Sequence, residues 1–303
     1  MTTTEKLFDF IKSSPSPYHT VKTVAEMLEA AGFKRIYEGD GAPLVAGESY
    51  YTIRDGSSLI AFRKREGGYM ICAAHTDSPS FKAKSITQSG AYFRLNTERY
   101  GGMILYSWLD RPLSVAGRVI IRTECGIKEC TVDLDADMFT IPSLAIHMNR
   151  EVNNGYKFNP ATDMLPITSH GVALDAVLAD NLGVSADEII SHDLYLYTRE
   201  EGRVVANEYI LAPRLDDLQC VYSATEAFLA AEDSECTPIL AIFDNEEVGS
   251  STKQGAASDL LISVLTRISG SREEYSRRAS ESFMVSADNA HAIHPNHPEY
   301  ADS

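Results

Sequence analysis

The sequence predicts an α/β protein interrupted by a β-rich insertion. Three observations carry that reading. Both ends of the chain alternate strand-length apolar runs with stretches of helical period. The middle, from about residue 84 to 206, holds short β-like runs separated by polar turns, with little helical period. After Ala206 the α/β alternation returns.

Ser16-Pro17 opens an amphipathic helix with Val21, Val24, Leu28 and Ala31 on one face, and Gly32 stops it. Strands follow at residues 59–63 and 69–74, joined by the turn-like Glu66-Gly67-Gly68. The second strand runs straight into His75-Thr76-Asp77-Ser78-Pro79. In the middle, residues 92–95, 115–122, 131–134 and 193–197 read as strands, and residues 186–191 as a short helix. Beyond it come a strand at 208–212, a helix at 217–231 and a buried-type strand at 238–243 leading into Asp244-Asn245-Glu246-Glu247. A helix at 255–269, a polar loop or helix end at 271–282 and a strand at 283–286 complete the pattern, which ends at Asp288. The domains expected are therefore residues 1–83 with 207–303, and an insert at 84–206.

The chain has 303 residues, with 43 acidic and 27 basic, for a formal charge of −16. That balance lacks the basic footprint of a nucleic-acid binder and repels an anionic membrane surface. No apolar run approaches the ~20 residues of a membrane span, and the N-terminus has no secretory pattern. Five scattered cysteines make no disulfide framework, so the expected setting is cytoplasmic with reduced thiols.

Four strands deliver acid or imidazole at or just past their C-terminal ends: His75 and Asp77, Asp216 and Asp217, Glu246 and Glu247, and Asp288. Open α/β sheets place ligands outside those ends. Six carboxylates repel one another unless cations neutralise them. One His with several carboxylates and no Cys suits zinc, manganese or cobalt, and the ligand supply exceeds one tetrahedral site. In the doublet Glu246-Glu247, one carboxylate can bind metal while its neighbour acts as general base. Asp77 can fix the His75 tautomer. Taken singly, each piece has a bland reading: a solvated Glu-Glu pair, or a helix N-cap with an acidic first turn at Asp216-Asp217. Their shared position after apolar strands is what points to a site. His291, His294 and His297 recur every third residue, but Pro295 and Pro298 break any helix that would align them, so a loop is expected.

Several stretches together resemble the aspartyl aminopeptidase family of dinuclear zinc exopeptidases. They are Ala74-His75-Thr76-Asp77-Ser78-Pro79, Pro213-Arg214-Leu215-Asp216-Asp217-Leu218 and Phe243-Asp244-Asn245-Glu246-Glu247-Val248-Gly249-Ser250, followed by Ser286-Ala287-Asp288-Asn289-Ala290-His291-Ala292 and His294-Pro295-Asn296. The resemblance covers essentially the whole chain. It implies a three-layer α/β zinc-peptidase catalytic domain with an inserted β-rich dimerisation domain. It implies metal ligands at His75, Asp288, Asp216 (bridging two ions) and Glu247, a general base at Glu246, and Asp77 as the partner of His75. His147, in Ile141-Pro142-Ser143-Leu144-Ala145-Ile146-His147-Met148-Asn149-Arg150, would reach a neighbouring subunit's site. The implied activity is removal of an N-terminal residue, Asp or Glu by the family name, from peptides by water activated at two zinc ions, with Mn2+ or Co2+ as substitutes. The implied assembly is a homo-oligomer of dimers building a tetrahedral dodecamer. Two departures stand out: Asp217 replaces a frequent Asn, and the late histidine of the second metal site has no counterpart before Ser303. A truncated catalytic domain is the expectation there. The competing readings are a non-catalytic oligomer component and a related metal-dependent amidohydrolase.

Overall fold

The computed structural model describes residues 1–169, 171–232 and 234–301. The chain divides into two compact units: residues 1–11, 21–76 and 214–303 form the first, and residues 12–20 with 77–213 form the second. No helix among the described residues is long and apolar enough to cross a membrane.

The first unit is built on a six-stranded mixed sheet. Its strands are β1 (Lys34–Arg35), β2 (Ser49–Arg54), β3 (Ser58–Arg63), β4 (Tyr69–His75), β13 (Thr237–Phe243) and β14 (Phe283–Ser286), in the order β1-β2-β3-β13-β4-β14. Alternation sends Ile60, Phe62, Ile71, Ala73, Ile239 and Ala241 to one face, where they meet Leu260, Val264, Leu265 and Ile268 of helix α5 (Leu260–Ser269). Each such fully buried aliphatic side chain contributes about 1.5–3 kcal/mol. Helix α4 (Leu215–Ala230) lies along β4 and β13. Its apolar stripe buries Leu218, Val221, Ala224 and Phe228, and the Phe228 ring meets Phe33 at 5.4 Å. Helix α1 (Thr3–Lys12) buries Leu7, Phe10 and Ile11. Helix α2 (Pro17–Ala30) buries Val21, Val24 and Leu28, and Gly32 follows it with φ +86°. Ala31 is exposed rather than part of that face.

The Glu66-Gly67-Gly68 turn does not close a hairpin. Strand β13 inserts between β3 and β4, antiparallel to the first and parallel to the second. The glycine there serves close approach: a Cβ on Gly67 would stand 2.6 Å from the Glu235 carbonyl oxygen. The polar segment at 271–282 is helix α6 (Arg272–Ala279) rather than a loop, with Ser271 accepting the Glu274 N–H as its cap at 3.1 Å. Its Arg278 is 1% exposed and donates to the carbonyls of Gly67 and Arg65 (both 2.8 Å) and to Thr237 Oγ1 (2.6 Å). That buried fork explains why so polar a stretch holds a helix against the sheet.

The second unit carries an antiparallel sheet of β5 (Ser80–Ser89), β6 (Tyr92–Tyr100), β7 (Leu113–Thr123), β8 (Gly126–Asp133), β9 (Ile167–Thr168) and β10 (Ile189–Thr198), ordered β8-β7-β10-β5-β6-β9. A separate ribbon pairs β11 (Arg203–Val205) with β12 (Tyr209–Leu211). The core joins Phe81, Leu95, Val115, Val119, Leu194 and Leu196 to Leu174 and Leu178 of helix α3 (Leu174–Leu182). Residues 186–191 form one 3-10 turn and then the start of β10, so the helix of this region lies earlier, at α3. Gly183 ends α3 in the left-handed region, and its N–H returns to the Ala179 and Asp180 carbonyls.

Candidate metal centre

Parallel pairing lines up the ends that carry the chemistry. His75 closes β4 directly beside Phe243 of β13, and Ser286 of β14 pairs with Ala73. Thr76 secures the exit from β4: its N–H reaches the Phe243 carbonyl at 2.8 Å, and its Oγ1 donates to Ser57 O at 2.9 Å. The Ala287 N–H binds the Ala73 carbonyl at 2.8 Å, which delivers Asp288 next to β4. The Asn289 side-chain amide donates to the Leu215 carbonyl, fastening this segment to the start of α4. There Asp216 (φ −81°, ψ 109°) and Asp217 (φ −118°, ψ 21°) depart from helical geometry. Arg214 stands at the N-cap without a side-chain bond and both aspartates fall in the first turn, so the bland reading of the doublet holds for its acidic first turn and not for the cap.

Four side chains converge at this point. His75, Asp216, Asp217 and Asp288 offer ligand atoms that all lie within 4.8 Å of one another. His75 Nε2 is 3.2 Å from Asp216 Oδ1, 3.7 Å from Asp288 Oδ1 and 4.0 Å from Asp217 Oδ2. The His75 imidazole and the Asp217 carboxylate are buried, while Asp216 and Asp288 face outward. Burial pushes the Asp216 carboxyl above its ordinary range, an effect the nearby His75 opposes and Asp288 reinforces. Burial pushes Asp217 up to about 6 against the opposing bonds from the Cys220 thiol and the His75 N–H.

The donor set suits a divalent cation. It is one imidazole with carboxylates and no thiolate, the chemistry of zinc, manganese or cobalt. Tetrahedral zinc with bonds of about 2.1 Å sets its ligands about 3.4 Å apart, and the 3.2 and 3.7 Å separations bracket that value. Asp217 Oδ1 is buried with no hydrogen-bond partner, and a nearby cation would compensate its desolvation.

The structure thus gathers His75, Asp216 and Asp288. It adds Asp217, to which the sequence reading gave no ligand role. Glu246 and Glu247 sit on a 3-10 turn (Glu246–Val248) just past β13 and are not members of the four-residue cluster. Glu246 is exposed and Glu247 half-buried. The turn is shaped by Asn245 and Gly249, both left-handed (φ 64° and 101°), and by Thr252 Oγ1, which donates to Asn245 Oδ1 at 2.7 Å. Asp77 is fully buried and belongs to the second unit, where Tyr100 Oη donates to its Oδ2 at 2.7 Å. His147 lies exposed in a turn of that unit, flanked by the exposed Ile146 and Met148. His291, His294 and His297 fall in an irregular exposed segment; the His294 and His297 rings meet at 5.3 Å with their planes tilted by 40°, and no metal cluster forms from them among the described residues.

Comparison with known proteins assigns the chain. The profile described as aminopeptidase I zinc metalloprotease (M18) matches residues 10–303. The chain belongs to the M18 family. Among curated M18 relatives, a probable M18 family aminopeptidase 2 of Clostridium acetobutylicum is 42% identical over 98% of this chain and 74% of its own length. A protein of the same description from Pseudomonas aeruginosa is 38% identical over 98% of this chain and 73% of its own length. Among solved structures, the chain matches one from the Ape4 and Nbr1 complex with TM-score 0.92 at 32% identity, covering 99% of this chain and 65% of that one. It also matches the mApe1 dodecamer of S. cerevisiae with TM-score 0.83 at 28% identity, covering 98% of this chain and 73% of that one. The chain therefore spans from about two-thirds to three-quarters of these M18 relatives. The M18 family consists of zinc metalloproteases, hydrolases of the exopeptidase class, and the mixed α/β fold described above is theirs.

Proposed function

We propose that this chain is an aminopeptidase that removes one residue from the free N-terminus of a peptide, with zinc held by His75, Asp216 and Asp288. The convergence of those three side chains at neighbouring strand and helix ends carries the reading. Asp216 has two carboxylate oxygens, so it can face a second cation for which Glu247 is the further ligand. Bound zinc supplies Lewis acidity for peptide hydrolysis. Glu246, exposed on its turn, takes the proton from the attacking water and returns it to the leaving amine. Asp77 holds the His75 imidazole in one tautomer. N-terminal Asp and Glu are the proposed substrates. Subunits pair into dimers that build a tetrahedral dodecamer, and His147 serves the neighbouring subunit's site; the dodecamer of the yeast relative supports such an assembly. The five unpaired thiols support a cytoplasmic setting.

The reading is tested with the p-nitroanilides of Asp, Glu and Leu and their N-acetyl forms. Cleavage of the free-amine substrates only, lost on chelation and restored by zinc, is the expected result. Cleavage of the N-acetyl forms would make the protein an amidohydrolase instead. No turnover by zinc-loaded oligomers would make it a non-catalytic component.

A further inference from the structure

We infer that Ser58 is a positioning residue for the Glu246-Glu247 pair, acting through the backbone segment that carries it. The inference rests on the proposed roles of those two glutamates. Ser58 opens β3 and is fully buried. Its hydroxyl oxygen accepts the Asp244 N–H at 2.9 Å, and its O–H donates to the Gln254 carbonyl at 2.7 Å. Asp244 directly follows β13 and stands two residues before Glu246. One hydroxyl thus fastens both ends of the segment 244–254 to β3. The Asp244 N–H is buried, so losing that hydroxyl would leave it unsatisfied.

The segment is also braced within itself. Thr252 Oγ1 donates to Asn245 Oδ1 at 2.7 Å and accepts the Gly255 N–H at 3.0 Å. The Ser250 N–H returns to the Asn245 carbonyl at 2.8 Å. A Cβ on Gly255 would stand 2.1 Å from the Ser250 carbonyl oxygen, so only glycine allows the segment to close this tightly. Arg54, the last residue of β2, donates to the Lys253 carbonyl at 3.2 Å and to Asp259 Oδ1 at 2.6 Å. The turn between β2 and β3 reaches β4 as well, because the Ser57 carbonyl accepts Thr76 Oγ1 at 2.9 Å, one residue past His75. The exits of β4 and β13, which deliver His75 and the glutamate pair, are therefore tied to one turn. A proton-transferring group works only from a fixed position, and a displacement of about 1 Å can cost on the order of 100-fold in rate. Ser57 supplies the contrast: it is as buried as Ser58, yet its Oγ has no hydrogen-bond partner.

The test compares wild type with Ser58→Ala, Ser57→Ala and Glu246→Gln. The two serine variants each remove one buried hydroxyl from adjacent residues, and only one of those hydroxyls is bonded. Each protein is measured for kcat and KM on the free-amine p-nitroanilides and, free of metal, for amide hydrogen exchange, with urea unfolding to report whether the fold is retained. Ser58→Ala is expected to lower kcat about 10- to 100-fold with KM within about twofold of wild type. Its exchange is expected to quicken in residues 244–255 while β3, β4 and β13 exchange as in wild type. Ser57→Ala is expected to match wild type in both readouts. Wild-type kcat in Ser58→Ala, beside turnover lost in Glu246→Gln, overturns the inference and leaves the role of Glu246 standing. Exchange quickened throughout the sheet, or equal losses in the two serine variants, assigns the effect to the fold and also overturns it. Turnover that survives Glu246→Gln, or no turnover by wild type, overturns the reading on which the inference rests.

Discussion

The backbone N–H of His75 donates to Asp217 Oδ2 at 3.1 Å, and the imidazole Nε2 of the same histidine lies 4.0 Å from that oxygen. The last residue of β4 and the first turn of α4 are thereby locked together at the point where the other carboxylates arrive. Asp217 is fully buried, so it acts on the site from beneath.

In metal-free protein the raised carboxyls of Asp217, about 6, and Asp216 predict a pH dependence with a definite sign. The folded state binds these protons more tightly than the unfolded chain. Their contribution to stability is therefore present below about pH 4 and lost as pH rises through about 6. Zinc requires the ionised carboxylates, so its stabilising effect runs the opposite way and grows over the same interval. Urea titrations between pH 4.5 and 7.5, with and without zinc, measure both trends. Asp217→Asn should flatten much of the metal-free trend, because its amide carries no charge to desolvate while its carbonyl oxygen can still accept the His75 N–H.

Arg278 is predicted to be a main support of the sheet beneath the site. Its guanidinium is buried, faces the Tyr69 ring at 4.7 Å, and donates to the carbonyls of Arg65 and Gly67. Arg278→Ala strands those acceptors and should cost about 2–4 kcal/mol of unfolding free energy in urea. Arg278→Lys cannot reproduce the fork and should recover less than half of the loss. A loss below about 0.5 kcal/mol in Arg278→Ala would show that water replaces the guanidinium at little cost.

Glu246→Gln separates proton transfer from metal binding. Turnover should fall at least about 100-fold, the lower end of what a positioned acid–base contributes, while zinc content stays that of wild type. Substantial activity with zinc bound would move the base elsewhere. A parallel loss of zinc would make Glu246 a ligand.

Much of this site was legible because strand ends carry unusual chemistry in plain sequence. The apolar runs before His75, Glu246 and Asp288 became β4, β13 and β14, whose alignment brings His75 and Asp288 together. The sheet order was not legible. Gly67-Gly68 resembles a hairpin turn, and only the insertion of β13 shows that its glycine makes room for the Glu235 backbone. Helix α6 was hidden because its anchor is a buried arginine rather than an apolar stripe. Asp217 could not be told from an acidic first helical turn until its neighbour, the His75 backbone, was in place. Tyr100 lies 23 residues from Asp77 and meets it only because the β5–β6 hairpin folds back on itself, which no local signal shows.

The most direct test is a zinc-binding isotherm of purified wild type beside His75→Ala, Asp216→Ala and Asp288→Ala, each checked for folding. The expected result is tight zinc binding by wild type and a loss of affinity of 100-fold or more, about 2.7 kcal/mol, in all three variants. Zinc bound equally well without His75, Asp216 or Asp288 would contradict the account and place the metal elsewhere.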